Sequence, residues 1–267
     1  MTARGPYAED LTLALHLADA VDAVTMGGFG NQSLQVEIKD DNTPVTEVDR
    51  AAEQKLRELL DRHRPADAVY GEEFGSKGGG PRQWVIDPVD GTKNYLRGIP
   101  VWGTLIALLE EGDPVMGVAT APALGLRWFA SRGEGAWKGK DRKSARPLRV
   151  STIDHLSEAT LSYSSLTGWE DRGGLDRFLA LQRKMWRTRA FGDFWSYMLV
   201  AEGVIEVATE PDLAIYDMAA LVPIVEEAGG RFTSLRGERG PFGGNALATN
   251  GLLHDEVLRL LEEPREG

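Results

Sequence analysis

The sequence predicts an α+β amino-terminal half followed by an α/β carboxy-terminal half. Between residues 101 and 137 the apolar runs VWGTLIALLE, PVMGVATAP and LRWFAS are separated only by short turns, the pattern of consecutive antiparallel strands. From residue 159 onward, strand-length and helix-length apolar segments alternate, as they do where helices cross over a sheet. The basic, polar stretch KGKDRKSARP at 138–147 lies between the two patterns. It is the candidate boundary between a domain over 1–143 and a second over 144–267.

Each element has a local cause. Leu11, Leu15, Ala18, Val21 and Val24 recur at helical spacing, which predicts an amphipathic helix over 7–27 that Gly27, Gly28 and Gly30 stop. A second helix over 47–62 follows TPVT, with Ala51, Leu56, Leu59 and Leu60 on one side. AVYGEEF reads as a short strand (68–70) that breaks into a glycine and two glutamates, and GSKGGGPR as a surface loop. A strand over 84–86 runs into WVIDPVDGTKN. In the second half, strands are expected over 159–164, 187–190, 204–209, 231–234 and 246–249. Helices are expected over 174–184, 194–202, 217–228 and 252–262. No internal repeat interrupts this order.

Composition narrows the function. With 267 residues, 27% charged and 42% hydrophobic, the chain can bury a sizeable core. Lys plus Arg total 30 against 41 Asp plus Glu, a formal charge of −11. Such a surface repels nucleic acid and anionic membranes, so neither is expected as a partner. A phosphorylated substrate would need local positive charge, which a bound metal can supply. The absence of cysteine excludes thiol catalysis, disulfides and cysteine-ligated zinc, and fits a reducing compartment. The first residues lack the apolar core of a secretory leader, and no run approaches the ~18 apolar residues of a membrane span. A cytoplasmic location is expected.

The histidines His16, His63, His155 and His254 lie near no acid–base motif and receive no role. No G-x-S-x-G, H-E-x-x-H, Walker A or G-x-G-x-x-G pattern occurs. What remains is a set of acids at strand ends: Glu72 and Glu73 after VYG, Asp87 and Asp90 after WVI, Asp217 after AIY. Asp-Pro-Val-Asp-Gly reads first as a turn. Two carboxylates flanking Pro88 can also converge on one hard cation, with the Val89 carbonyl alongside. Gly91 allows close backbone approach, and Thr92 offers an amide and a hydroxyl at a possible helix start, a place suited to phosphate. Oxygen-only ligands favour Mg²⁺ or Mn²⁺ over zinc. Singly, each acid has an ordinary explanation: Asp217 as a helix N-cap, Asp49 as the partner of Thr46 in a capping box. Jointly they argue for a polynuclear metal site.

With Asp49 in TPVTEVD, Glu72-Glu73 in GEEF, DPVDGT at 87–92 and YDMAA at 216–220, in that order, the chain resembles the inositol monophosphatase superfamily over nearly its whole length. Val89 stands where the family pattern has Ile or Leu, and Tyr216 where it has Trp. Within the superfamily, RQWVIDPVDGTKN, RGIPVWGTLIALLE, SYSSLTGW and TRAFGDFWSYMLVAEG resemble the actinobacterial-type histidinol-phosphate phosphatases.

The resemblance implies a layered αβαβα sandwich, a homodimer and two to three Mg²⁺ (or Mn²⁺) ions per subunit. It also implies hydrolysis of a small-molecule phosphate ester by in-line attack of metal-activated water. Glu72, Asp87 and the Val89 carbonyl would hold the first metal, Asp87, Asp90 and Asp217 the second, and Glu72 a third. Thr92, hydrogen-bonded to Asp49, would orient and deprotonate the water; Gly91 and Thr92 amides would hold the phosphate. Histidinol phosphate carries an ammonium and an imidazole, so its site needs carboxylates beyond the metal ligands. Asp193 and Glu210 are the candidates, although Asp193 equally reads as the N-cap of a helix starting at Phe194. Arg189 either faces the ligand or pairs with a surface acid. An inositol phosphate phosphatase and a non-catalytic metal- or phosphate-binding subunit are the competing expectations. The latter gives no reason for Thr92 and Asp49 to be present together.

Overall fold

The computed structural model describes residues 5–31, 34–38 and 44–262. The first half runs α1 (Ala8–Gly28), β1 (Val36–Ile38), β2 (Pro44–Thr46), α2 (Glu47–His63), β3 (Ala68–Gly71), β4 (Gly75–Lys77), β5 (Arg82–Asp90), α3 (Thr92–Leu96), β6 (Gly103–Glu110), β7 (Asp113–Ala121), β8 (Leu126–Ser131), β9 (Ala136–Lys138) and β10 (Arg146–Pro147). The second runs β11 (Thr160–Ser162), α4 (Leu166–Asp171), α5 (Leu175–Gln182), β12 (Arg187–Arg189), α6 (Asp193–Ala201), β13 (Val207–Glu210), α7 (Ile215–Met218), α8 (Leu221–Glu227), β14 (Arg231–Thr233), β15 (Ala246–Thr249) and α9 (His254–Leu261). An eight-stranded sheet has the order β10-β9-β8-β7-β6-β5-β3-β4, and a five-stranded sheet the order β12-β11-β13-β15-β14. β1 and β2 form a separate antiparallel ribbon.

Side-chain alternation turns these sheets into layers. Successive residues of a strand point to opposite faces. On β5 and β6, Trp84, Ile86, Ile106 and Leu108 pack with α1 and α2, in one cluster with Leu17 and Leu56. Their neighbours Val85, Leu105 and Ala107 pack against Phe194, Met198 and Ile224 of α6 and α8. The same cluster reaches Ala208, Ala246 and Ala248 of the five-stranded sheet. That sheet's other face, Leu161, Val207 and Leu247, is covered by Phe178, Leu181 and Val257. The order is therefore helices, sheet, helices, sheet, helices, the expected αβαβα sandwich. The central apolar layer is shared by both halves of the chain.

Gly117 shows how close the layers come. A Cβ there would lie 2.1 Å from the Ala220 carbonyl oxygen, so only glycine lets α8 seat on β7.

Several local expectations need correction. GSKGGGPR is not wholly loop, because Gly75–Lys77 pairs antiparallel with β3. The strand expected over 84–86 spans Arg82–Asp90, taking in both aspartates. The basic stretch 138–147 is a hairpin of the large sheet, Arg146 opposite Lys138. The helix expected over 217–228 is broken into α7 and α8.

Candidate active site

Asp87 and Asp90 lie at the carboxyl end of β5, in the interior of the eight-stranded sheet, parallel to β3 and antiparallel to β6. Asp87 pairs with Leu105 but Asp90 with Gly103, so the bulged segment has one residue more than its partner. Pro88 is tolerated because a bulge leaves a residue out of the ladder, where a missing N–H costs nothing. The Pro88 carbonyl accepts from Thr104 Oγ1 at 2.7 Å, and Asp87 Oδ1 accepts from the Val89 amide at 2.9 Å. The turn thus forms, as the residue types suggest, but inside a buried strand that aims its acids.

Asp217 reaches the same point from α7. The carboxylates of Asp87, Asp90 and Asp217 offer oxygens within 4.8 Å of one another. Asp217 is not a helix N-cap: it lies in the first turn of α7, and Oδ2 accepts from the Ala214 amide at 2.7 Å. Tyr216, in place of the family's Trp, packs half-buried on Tyr70, ring centroids 6.2 Å apart. Glu72 follows β3, its amide donating to the Ile86 carbonyl at 3.3 Å. Its carboxyl lies beside Asp87 and helps to raise that group's pKa.

Charge crowding dominates the electrostatics. Burial first, then Glu72, Asp90 and Asp217, push Asp87 well above the carboxylate range. Burial, then Asp193 and Asp217, do the same to Asp90. Asp217 is pushed up to about 7, chiefly by burial. Like charges this close, with oxygen donors only, need protons or a hard divalent cation between them. The donor set fits the implied Mg²⁺.

Asp49 is fully buried near the start of α2 and completes the capping box: Oδ2 accepts from the Thr46 amide at 2.9 Å, and from the Thr46 hydroxyl. Its Oδ1 lies 3.4 Å from Thr92 Oγ1, which donates to the Val89 carbonyl at 2.9 Å. The capping reading of Asp49 is borne out, and its Oδ1 faces Thr92, the contact the catalytic reading requires. Gly91 precedes α3 with φ +81, and a Cβ on it would lie 3.2 Å from Asp193 Oδ2 and from the Val101 carbonyl.

Across the cavity, Asp193 does not cap α6. It opens the helix with φ 50 after Gly192, in the left-handed region that non-glycine residues avoid. The helix start is capped from the other half of the chain, Asp90 Oδ2 accepting from the Phe194 amide at 2.8 Å. Asp193 accepts from Asn94 Nδ2 at 3.1 Å and from Ser164 Oγ at 3.5 Å. Its pKa is raised by burial and held down by Ser164 and by the charge of Lys93. Glu210 ends β13, is buried, and is pushed up to about 8, chiefly by burial. Asp90, Asp193, Tyr197, Glu210 and Asp217 line one cavity of about 200 Å³. A larger groove, about 1220 Å³, is lined by Trp169, Arg172 and Arg236 and shares only Asp212 with it. The smaller cavity holds the convergent acids and is the candidate site.

Arg189 is outside that lining: exposed on the edge strand β12, it donates to the Thr188 carbonyl at 2.7 Å. Among the described residues it makes no ion pair with an acid and does not line the acid cavity. His254 is the one buried histidine, held between the hydroxyls of Thr233 and Thr249 and pushed down to about 4 by burial. It belongs to the core of the second sheet.

Sequence patterns did not point to Glu53, Asn94 or Tyr197. Glu53 is buried and accepts from the Glu73 and Phe74 amides at 2.7 and 3.1 Å, fixing the turn that carries Glu72. Its only sequence signal is an acid at a core-facing position of α2.

The folded layers and the acid cluster at their seam define a metal-dependent phosphatase class. The inositol monophosphatase family model matches residues 7–265, and the chain belongs to that family. It is 57% identical to a histidinol-phosphatase of Streptomyces coelicolor over 96% of this chain and 98% of that protein. Identity to a histidinol-phosphatase of Mycobacterium tuberculosis is 54%, over 95% and 98%. Among solved structures, an inositol monophosphatase from Zymomonas mobilis superposes with TM-score 0.86 at 32% identity, covering 97% of this chain and all of that one. Among the described residues no helix is long and apolar enough to cross a membrane.

Proposed function

We propose that the protein is a Mg²⁺-dependent phosphomonoesterase that hydrolyses L-histidinol phosphate to L-histidinol and phosphate. The observation that carries the substrate choice is the pair of carboxylates, Asp193 and Glu210, lining the same cavity as Asp90 and Asp217. A polyol phosphate has no positive charge to offset them, whereas an amine ester does. Two relatives above 50% identity, both histidinol-phosphatases, support the same substrate.

Asp87, Asp90 and Asp217, with Glu72 and the Val89 carbonyl, would hold the divalent ions. Such ions supply positive charge to the phosphate oxygens and Lewis acidity to the reacting centre. The chain's own residues do the rest. Backbone amides of Gly91 and Thr92 hold the phosphate. Thr92 orients the attacking water, and Asp49, 3.4 Å from the Thr92 hydroxyl, receives its proton. Asp90 serves twice, toward the ion and toward the Phe194 amide. Mn²⁺ in place of Mg²⁺, a homodimer and a cytoplasmic location complete the proposal.

A panel tests it: phosphate release from histidinol phosphate, inositol 1-phosphate and fructose 1,6-bisphosphate, each with Mg²⁺ and with excess EDTA. Fast Mg²⁺-dependent release from histidinol phosphate is expected. A preference for inositol phosphate moves the assignment to that branch of the family. No release from any ester leaves a binding subunit.

A further inference from the structure

We infer that Tyr197 is the third acceptor, with Asp193 and Glu210, of a subsite built for a primary ammonium group. The inference rests on the amine-ester reading given above and says which part of that ester enters the cavity and what receives it.

Tyr197 and Glu210 are 1% and 6% exposed, and both line the acid cavity. Among the described residues, the Tyr197 hydroxyl and Glu210 Oε1 make no hydrogen bond of good geometry; the hydroxyl lies within reach of the Glu210 carboxyl, and donating its proton there leaves the Tyr197 oxygen able to accept. Buried polar atoms are nearly always paired, because an unpaired one has given up its bond to water. Neighbouring carboxylates are provided for: Asp90 by the Phe194 amide, Asp217 by the Ala214 amide, Asp193 by Asn94 and Ser164. Trp102 Nε1, Ser131 Oγ and Trp169 Nε1 are also unmatched, but outside this cavity; the Tyr197 and Glu210 atoms are set apart by lining the same one. Tyr197 is also held in place. Its ring packs on Phe232 at 5.6 Å between centroids, and it lies four residues after Asp193, on the same face of α6.

A ligand that satisfies this place must donate more than once from one centre. Phosphate oxygens accept, and a sugar hydroxyl has one proton. The two N–H groups of an imidazolium lie on different sides of the ring and diverge. A primary ammonium has three N–H donors on one nitrogen. It can give one each to Tyr197, Glu210 and Asp193 while its charge offsets the carboxylates. A trapped water also donates twice, and the test separates the two.

The test uses the Mg²⁺-loaded enzyme with L-histidinol phosphate and with 3-(imidazol-4-yl)propyl phosphate, the same ester without its amine. Tyr197→Phe should lower the wild-type ratio of kcat/KM for the amine ester over the deamino ester by ~10-fold or more, the scale of a hydrogen bond to a charged group. An unchanged ratio, whether both activities fall together or neither falls, overturns the inference and favours the water. Product inhibition gives a second readout: L-histidinol should inhibit wild type more strongly than 3-(imidazol-4-yl)propanol, and Tyr197→Phe should erase that advantage. A wild-type enzyme that releases no phosphate from histidinol phosphate overturns the substrate proposal and this inference together. One that prefers the amine ester but is indifferent to Tyr197→Phe overturns this inference alone.

Discussion

Removing divalent ions and raising the pH from 6.5 to 8 should destabilise the folded protein, and Mg²⁺ should abolish the effect. Asp217 and Glu210 are pushed up to about 7 and about 8 in the folded chain. In the unfolded chain both ionise near 4. A carboxyl raised by folding stabilises the protein while the folded state keeps its proton. That contribution is complete below the unfolded value and is lost as pH rises through the folded one. Between pH 6.5 and 8 the unfolded carboxyls are already charged while the folded ones are still losing protons. Integrating the linkage for these two groups gives a loss of a little over ~2 kcal/mol. Asp87 and Asp90, pushed well above the carboxylate range, act in the same direction. His254, pushed down to about 4, has the opposite sense, but most of its effect falls below this window, leaving a few tenths of ~1 kcal/mol. For a chain of this size, a net ~2 kcal/mol lowers Tm by roughly 4–8 °C. Circular dichroism melts of EDTA-treated protein across the window measure it, with parallel melts in excess Mg²⁺. A metal-free Tm that stays flat or rises with pH would refute the crowding argument. A slope that persists undiminished in Mg²⁺ would detach it from metal binding.

Asp90→Asn should lower turnover by orders of magnitude with a near-normal melt in EDTA, since an amide oxygen can still accept from the Phe194 amide; retained turnover would remove Asp90 from the ion site. Thr92→Val should reduce kcat well beyond any change in Mg²⁺ affinity, because its hydroxyl faces Asp49 and the Val89 carbonyl; a variant of normal kcat would place the proton path elsewhere. Gly117→Ala should cost ~3 kcal/mol or more, because its Cβ would lie 2.1 Å from the Ala220 oxygen. A melt within a degree of wild type would mean that α8 slides freely on β7.

Wherever one periodicity persisted for a whole element, the sequence was enough. α1, α2 and the antiparallel run β6 to β8 fall close to their expected spans, because the helices keep one apolar face and the strands are apolar on both faces, buried between two layers. Short pieces failed for the opposite reason. β4 is three residues of Gly-Ser-Lys, and nothing local distinguishes it from loop; only pairing with β3 makes it a strand. The break between α7 and α8 was likewise invisible, since Met218 to Val225 is apolar throughout and buried on several sides. The acids at strand ends were legible because anionic oxygen ligands come from Asp or Glu, and DPVDGT groups two of them. Asp193 was half legible: its place at a helix start shows in the chain, but its φ of 50 does not, and the helix is capped by Asp90, 104 positions before Phe194. For Arg189 the sequence left two readings open, and its exposure on edge strand β12 depends on strand pairing that no local pattern shows.

The hydrogen bond from Phe194 to Asp90 has an engineering consequence. On the proposed function, it ties the helix that would select the substrate to a carboxylate that would hold an ion, so selectivity and chemistry would share a hinge. A chimera that imports residues 192–197 from a relative with another substrate transplants its amide donor along with its specificity. Exchanges that preserve the backbone position of Phe194 should yield active hybrids. Exchanges that move the amide should lose metal affinity before they gain a new substrate, whatever side chains they bring.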